Sequence, residues 1–413
     1  AIQKEAQVVM ERSNRFNNMY YQLQGLDLAT TAVLPTNKIE IPVDKAQVLK
    51  DGIVSAKLAD QIVDTVHLKL PITFSLDEEN RQSRTMYKND LITFDMIASN
   101  NWKRPIYFGS GATSDAAQVG FLMNYLQYNG TTYQLVPILT EKNEEGEHGC
   151  MDVDGLKKIF DNLKWGNLSD KDAYFDETCR TRNIIMFRSI ATRLSKELSN
   201  QGRNAEAISV LDKLMKNVPY DYYERTLIYD VVDGYFKAGA FDKGMQYAKL
   251  YQKDLMHNYH FYSGLTAGLL DFSFTDARRN SGEIGNLIEI LTEEDEFLRM
   301  GSLKTQNPGS QPMVQTNNTD IAQKRQQIKI LIDEIEKTLK SNFDQIVGSG
   351  LDENLSKISA MTPAYNSYAK AIDSARSLSD SVIPEGLKKT IIDNKATADQ
   401  FESLMGQVGQ KLF

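Results

Sequence analysis

From Asp152 onward the chain shows helical periodicity and no convincing strand pattern, and part of it repeats. Apolar residues recur at helical spacing through 152–163, 181–201, 205–216, 222–238 and 241–257. Two hairpins coincide at an offset of 37 residues: Leu194 matches Val231, Leu198 matches Tyr235, Gly202 matches Gly239, Ala207 matches Gly244 and Leu211 matches Ala248. A two-helix unit cannot bury its apolar face alone, so repetition points to stacking of neighbours into a helical array.

The register resembles the tetratricopeptide pattern, which places a small residue early in the second helix, a large apolar residue four later and a proline at the end. Ala207, Leu211 and Pro219 fit. The next unit keeps Tyr235 and Gly244 but has Met256 at the proline position, and the first has Ala191 where an aromatic belongs. An ordinary helical bundle obeys the same packing rules and stays open as the alternative.

The preceding part reads differently. Residues 1–24 have helical spacing, 38–42 and 65–70 alternate like strands, and 55–64 reads as a short helix between them. Residues 88–100 are apolar around most of a helix, which predicts cover on more than one side. A buried strand at 104–108, a helix capped by Asp115 to about Asn129 and a strand at 131–139 complete an alternating α/β pattern. Residues 301–320 are rich in Gly, Ser, Pro, Asn and Gln and read as a linker. Beyond them, Ile321, Ile328, Ile332, Ile335 and Leu339 form a narrow stripe, followed by helical segments near 351–378 and 385–412. The expected fold class is therefore α+β, mainly α. It comprises a mixed α/β region at 1–150, a tetratricopeptide-like array at 151–300, a linker at 301–320, and a C-terminal helical hairpin or bundle at 321–413.

The formal net charge of −8 argues against a nucleic-acid partner and against attraction to anionic lipid. No stretch approaches the roughly 20 apolar residues that a membrane helix needs, and no signal peptide is visible at the start. Two cysteines, Cys150 and Cys179, are too few for a disulfide framework, although they could pair.

Few motifs carry chemistry. Gly109-Ser110-Gly111 lies between a strand and a helix, but a full phosphate-binding fingerprint is missing and an ordinary turn is favoured. Asp152-x-Asp154 has the form of a metal-holding carboxylate pair, yet it precedes a helix, where Asp caps. His257 and His260 share a helical face without further ligands, so no metal and no cofactor are expected. Asp90 and Asp95 in an apolar helix call for partners such as Lys88 or Arg104. A core ion pair is the simpler reading. The functional alternative is a sugar- or peptide-sized pocket built from Asp90, Asn101, Trp102, Arg104 and Tyr107.

Two segments, KNDLITFDMIASNNWKRPIYFGS at 88–110 and YLQYNGTTYQLVPI at 125–138, carry a resemblance. With matches at 38–45, 52–64 and 154–167 and in the helical repeats, residues 38–260 resemble the C-terminal soluble region of a bacterial multi-pass membrane family. That family is defined by a domain of unknown function, number 2723, and is grouped with glycosyltransferases of the protein O-mannosyltransferase type. The resemblance implies a non-catalytic module on the periplasmic side, beside a transmembrane region that holds the catalytic groups. No catalytic residue carries over to this chain. A protein or peptide partner is then expected on the inner surface of the array, at outward positions Arg182, Arg188, Arg193, Tyr222, Arg225 and Tyr229, which would suit an acidic peptide. The bland reading pairs these arginines with nearby acids. The competing hypothesis is a stand-alone enzyme or carbohydrate-binding protein with its site on the α/β region.

Overall fold

Alternation in the first strand, β1 (Lys38–Pro42), is realised against β2 (Thr65–Lys69). The two run antiparallel, with Ile39 opposite Leu68 and Ile41 opposite Val66, so one face is apolar and the other carries Lys38, Glu40 and His67. These strands belong to a computed structural model that describes residues 38–69, 88–109, 122–140, 151–222, 225–305, 318–348 and 364. The expected helix at 1–24, the loop after Gly109, Cys150 and the helical segments expected beyond 348, Ala364 apart, lie outside the described residues. The chain divides into two units, Ala1–Leu163 and Lys164–Phe413.

In the first unit, α1 (Lys45–Lys50) follows β1, its first turn closed by the Asp44 carboxylate accepting from the Gln47 amide at 3.0 Å. The helix expected at 55–64 is a 3-10 turn at Ala56–Gln61. Helix α2 (Lys88–Asn100) has the expected bounds but not the expected cover. Ile97 is buried, while Ile92 and Met96 are half exposed and Asp95 is exposed. A single face packs on the core.

A second sheet has the order β3-β5-β4, with β3 at Tyr107–Gly109, β4 at Leu126–Tyr128 and β5 at Thr132–Leu135. Both sheets are antiparallel, in keeping with the expected α+β, mainly α class, and the alternating pattern read in the first part is realised as antiparallel sheets. The helix expected to reach Asn129 gives way to a 3-10 turn at Met123–Tyr125 and then β4. The cause is a hairpin closed at Asn129-Gly130, where Gly130 has φ +87° and the Asn129 amide donates to the Thr132 carbonyl. Strand β3 is shorter than the expected 104–108 run, and Tyr107 faces outward. Helix α3 (Val153–Asp161) buries Val153, Leu156 and Phe160.

The second unit is helical. After a π-helical turn at Cys179–Asn183 come α4 (Ile184–Asn200), α5 (Asn204–Asn217), α6 (Ile228–Lys237), α7 (Phe241–Gly264), α8 (Ala267–Thr305) and α9 (Asn318–Gly348). The 37-residue offset is visible in backbone hydrogen bonds. Gly202 and Gly239 take φ +74° and +76° after α4 and α6. The Arg203 amide donates to the Leu198 carbonyl and the Ala240 amide to the Tyr235 carbonyl, both at 2.8 Å. Two copies of one helix stop therefore turn the chain into α5 and α7. Leu194, Leu198, Ala207 and Leu211 are fully buried, as are their counterparts Val231 and Ala248, and Tyr235 nearly so. A Cβ on Gly244 would come within 2.5 Å of the Phe236 ring, so α6 and α7 meet where only glycine fits.

Helix α6 begins six residues later than the expected 222, because Leu227 turns left-handed at φ +63°. The expected linker at 301–320 begins with helix, since α8 continues to Thr305; residues 306–317 lie outside the described set. Helix α9 packs on α7 and α8. The Arg325 guanidinium grips both Asp295 oxygens at 2.8 and 2.9 Å, and Ile321, Ile328, Leu331, Ile335 and Leu339 form the buried stripe. Ile332, expected on that stripe, is half-buried beside it.

Candidate functional site

The pocket anticipated around Trp102 is filled by the fold itself. Helix α2 ends on two successive left-handed residues, Asn101 at φ +46° and Trp102 at φ +58°. They are held because Asn100 clamps the Arg104 backbone, accepting from its amide at 3.1 Å and donating to its carbonyl at 2.6 Å. Trp102 is thereby turned into the core, and its indole N–H donates to the Pro42 carbonyl at 2.9 Å. The Trp–Arg motif thus ties the end of α2 to β1. Asn101 and Arg104 are exposed, Tyr107 points to solvent, and the Asp90 side chain lies outside the described residues. What remains is a shallow surface recess lined by Ile97, Asn100, Trp102, Arg104, Ile106 and Leu135. Of the four proposed pocket residues whose side chains are described, Trp102 and Arg104 line this recess, while Asn101 and Tyr107 are not among its lining residues.

The Asp152-x-Asp154 pair serves the fold. The Asp152 carboxylate caps α3 by accepting from the Gly155 amide at 3.1 Å, and Asp154 pairs with Lys57 at 2.5 Å. A Cβ at Gly155 would press on Asp152 at 2.8 Å, so the cap selects glycine there. His257 and His260 are both exposed on α7. Among the described residues no group of three or more metal-ligating side chains is gathered. Cys179 is a free thiol in the π-helical turn.

The supposed arginine surface needs correction. Arg188 is fully buried, with Nη1 donating to the Thr226 carbonyl at 2.8 Å. It falls on the core stripe of α4, which runs Ile184, Arg188, Ala191, Ser195, Leu198. Arg225 is engaged, its Nε donating to Asp254 at 2.9 Å and its guanidinium lying 4.9 Å from the Tyr220 ring centre. Arg182 is exposed, Arg193 half-buried, and the Tyr222 side chain lies outside the described residues. Tyr229 is half-buried, and burial beside Asp230 and Glu283 pushes its hydroxyl up to about 12.

The charge in this part of the molecule is instead concentrated as carboxylates in a seam where α4, α6 and α8 converge. Lys196 on α4 reaches Asp230 at 3.4 Å and Asp233 at 3.2 Å on α6, and Lys237 reaches Asp233 at 3.1 Å. From α8 come Glu283, Glu293 and Glu294. Tyr251 on α7 donates its hydroxyl to Glu283 at 2.6 Å. Burial raises the Glu283 carboxyl, aided by Asp230, while the Tyr251 hydrogen bond and Arg279 oppose the rise. Burial also pushes Glu294 up to about 7, with Asp233 and Asp295 adding to it and Lys324 opposing. Burial is the first cause of both shifts, so Glu283 and Glu294 favour their neutral forms, while Asp230 and Asp233 are paired with Lys196 and Lys237. The exposed Glu293, beside Asp233 and Glu289, adds acid at the surface of the seam that an arriving amine or guanidinium would meet. No residue of the seam except Tyr229 was singled out in the sequence; acids at 230, 233, 283 and 293 sit at ordinary helical spacing, and only packing joins the helices.

Residues 2–155 match the family model described as TMEM260-associated domain 2. The likeness relates the first unit to a domain associated with a membrane-protein family, and it names no activity. No curated protein and no solved structure matches the chain. No helix among the described residues is long and apolar enough to cross a membrane.

Proposed function

We propose that the chain is an interaction module of a membrane-associated protein, and that its helical unit receives a partner segment bearing cationic side chains. The observation that carries the partner class is the acid excess at the surface of the seam, where Lys196 and Lys237 are already shared among Asp230, Asp233 and the exposed Glu293. This reverses the charge of partner expected from the arginines.

Membrane association rests on the likeness of residues 2–155 to a TMEM260-associated domain and on the resemblance of the Trp–Arg–Pro segment. In the finer form of the proposal, the chain serves a multi-pass glycosyltransferase-like protein from the periplasmic side, with the reactive groups in that protein's membrane helices.

The test is titration calorimetry of the full chain with an extended lysine-containing peptide and its lysine-acetylated counterpart. Binding of the lysine form alone is expected, weakened by salt and by Asp233→Asn combined with Glu293→Gln. Equal binding of the acetylated peptide would refute the charge-based reading.

A further inference from the structure

The α7–α8 hairpin ends in a tip with its own small core. Leu270 and Ala277 are buried there, packed by Tyr262, Leu265 and Phe274. Outside that core the tip shows apolar side chains to solvent: Phe272 is 92% exposed, and Phe261 and Leu269 are each 57% exposed. Leu269 and Phe272 stand three apart on one helix and so share a face.

The same segment is almost free of charge. Of the 20 residues at 256–275, Asp271 is the only Asp, Glu, Lys or Arg, whereas such residues make up 25% of the whole chain. Lys253 and Asp254 precede this stretch and Asp276, Arg278 and Arg279 follow it, so the depletion is confined to the tip. A surface that must stay in water gains nothing by excluding charge. A surface that leaves water avoids a desolvation cost by doing so.

We propose that this hairpin tip enters the interfacial layer of a lipid bilayer, with Phe261, Leu269 and Phe272 as its anchors. The geometry fits that occupant. Phe261 lies three residues before Gly264, and Phe272 lies five residues into α8. At about 1.5 Å of rise per residue both stand roughly 5–8 Å from the turn, and apolar faces at membrane surfaces sink about 5–10 Å. A second copy of the chain fits less well. The three exposed side chains offer roughly 400 Å², about half of the ~800 Å² that each partner of a stable complex contributes. The chain's net charge of −8 opposes neither choice at a tip with a single acid, and it makes an uncharged lipid headgroup the suitable surface. This inference goes beyond the partner-binding reading and uses none of the seam residues, so either can fail without the other.

The experiment is co-sedimentation of the full chain with sucrose-loaded vesicles of phosphatidylcholine. The wild-type chain is expected to sediment with the vesicles. Leu269→Ser with Phe272→Ser should reduce partitioning by about tenfold or more, with an unchanged circular-dichroism spectrum, because both residues are exposed. Tyr174→Ser removes an equally exposed ring elsewhere, 90% exposed, and should change nothing. Failure of the full chain to sediment overturns the proposal, including the case where a chain ending at Gly348 binds and the full chain does not. Equal loss in the Tyr174 variant overturns it too, since the binding would then be unspecific. So does a concentration-dependent dimer abolished by the double variant, which would assign the tip to contact between copies.

Discussion

Arg188 shows how one position on a helix decides what a charge can do. It occupies the core stripe of α4 and is anchored to the Thr226 carbonyl, so its removal strikes the fold before any surface. Arg188→Glu should place an uncompensated carboxylate there and cost about 3–5 kcal/mol, read as a shift in urea midpoint. Arg225→Glu, at a half-exposed pair with Asp254, should cost about 1 kcal/mol or less. Near-equal effects would contradict the assigned burial. The close approaches make a second comparison. Gly244→Ala pushes a methyl against the Phe236 ring and Ala207→Leu overfills the equivalent site in the preceding hairpin, each at about 1–3 kcal/mol. Equal stability of either variant in urea melts would show that the 37-residue equivalence does not extend to packing.

At the level of elements, the contact of α8 with α6 and α9 carries a pH dependence. Glu283 and Glu294 have carboxyls raised above the usual range, mainly by burial, Glu294 to about 7. Each binds its proton more tightly in the folded chain than in the unfolded one. For Glu294 the contribution is therefore complete below the ordinary carboxylate value of about 4.5 and is lost as pH rises through about 7, and Glu283 acts in the same direction. Melting temperatures measured from about pH 5 to about pH 8 should fall more steeply for the wild-type chain than for Glu294→Gln. Identical slopes would show that Glu294 is not the group responsible. Docking of α9 is open to a simpler check. Ile328→Ala with Ile335→Ala should destabilise the helical unit by roughly 2 kcal/mol or more, because both side chains are fully buried against it.

For the whole molecule, the proposal of a non-catalytic module makes a direct prediction. Incubation with lipid-linked and nucleotide sugars plus a protein acceptor should give no turnover above a denatured control. Measurable transfer by the isolated chain would return the site to this sequence and revive the enzyme reading. The two units stand differently toward the known proteins. The first has a family-model likeness across residues 2–155, whereas the helical unit, which holds both the acidic seam and the charge-poor hairpin tip, lies beyond that match.

Local pattern by itself determined helices α3, α4, α5 and the first part of α7, the 37-residue offset, strands β1 and β2, and the bounds of α2, because periodicity and turn chemistry act over a few residues. It also contains the Asn129-Gly130 hairpin signal, which competes with the apolar run before it; read as a turn, that dipeptide adds β4 before the strand expected at 131–139. Tertiary structure alone decided that the sheets are antiparallel, that Trp102 turns inward to Pro42, and that Arg188 lies in the core. It alone brought Lys196, Asp233, Glu283 and Glu294 together from three helices. The physical reason is that burial and electrostatics depend on distance in space. Residues nearly a hundred positions apart acquire a shared environment only when the helices that carry them pack.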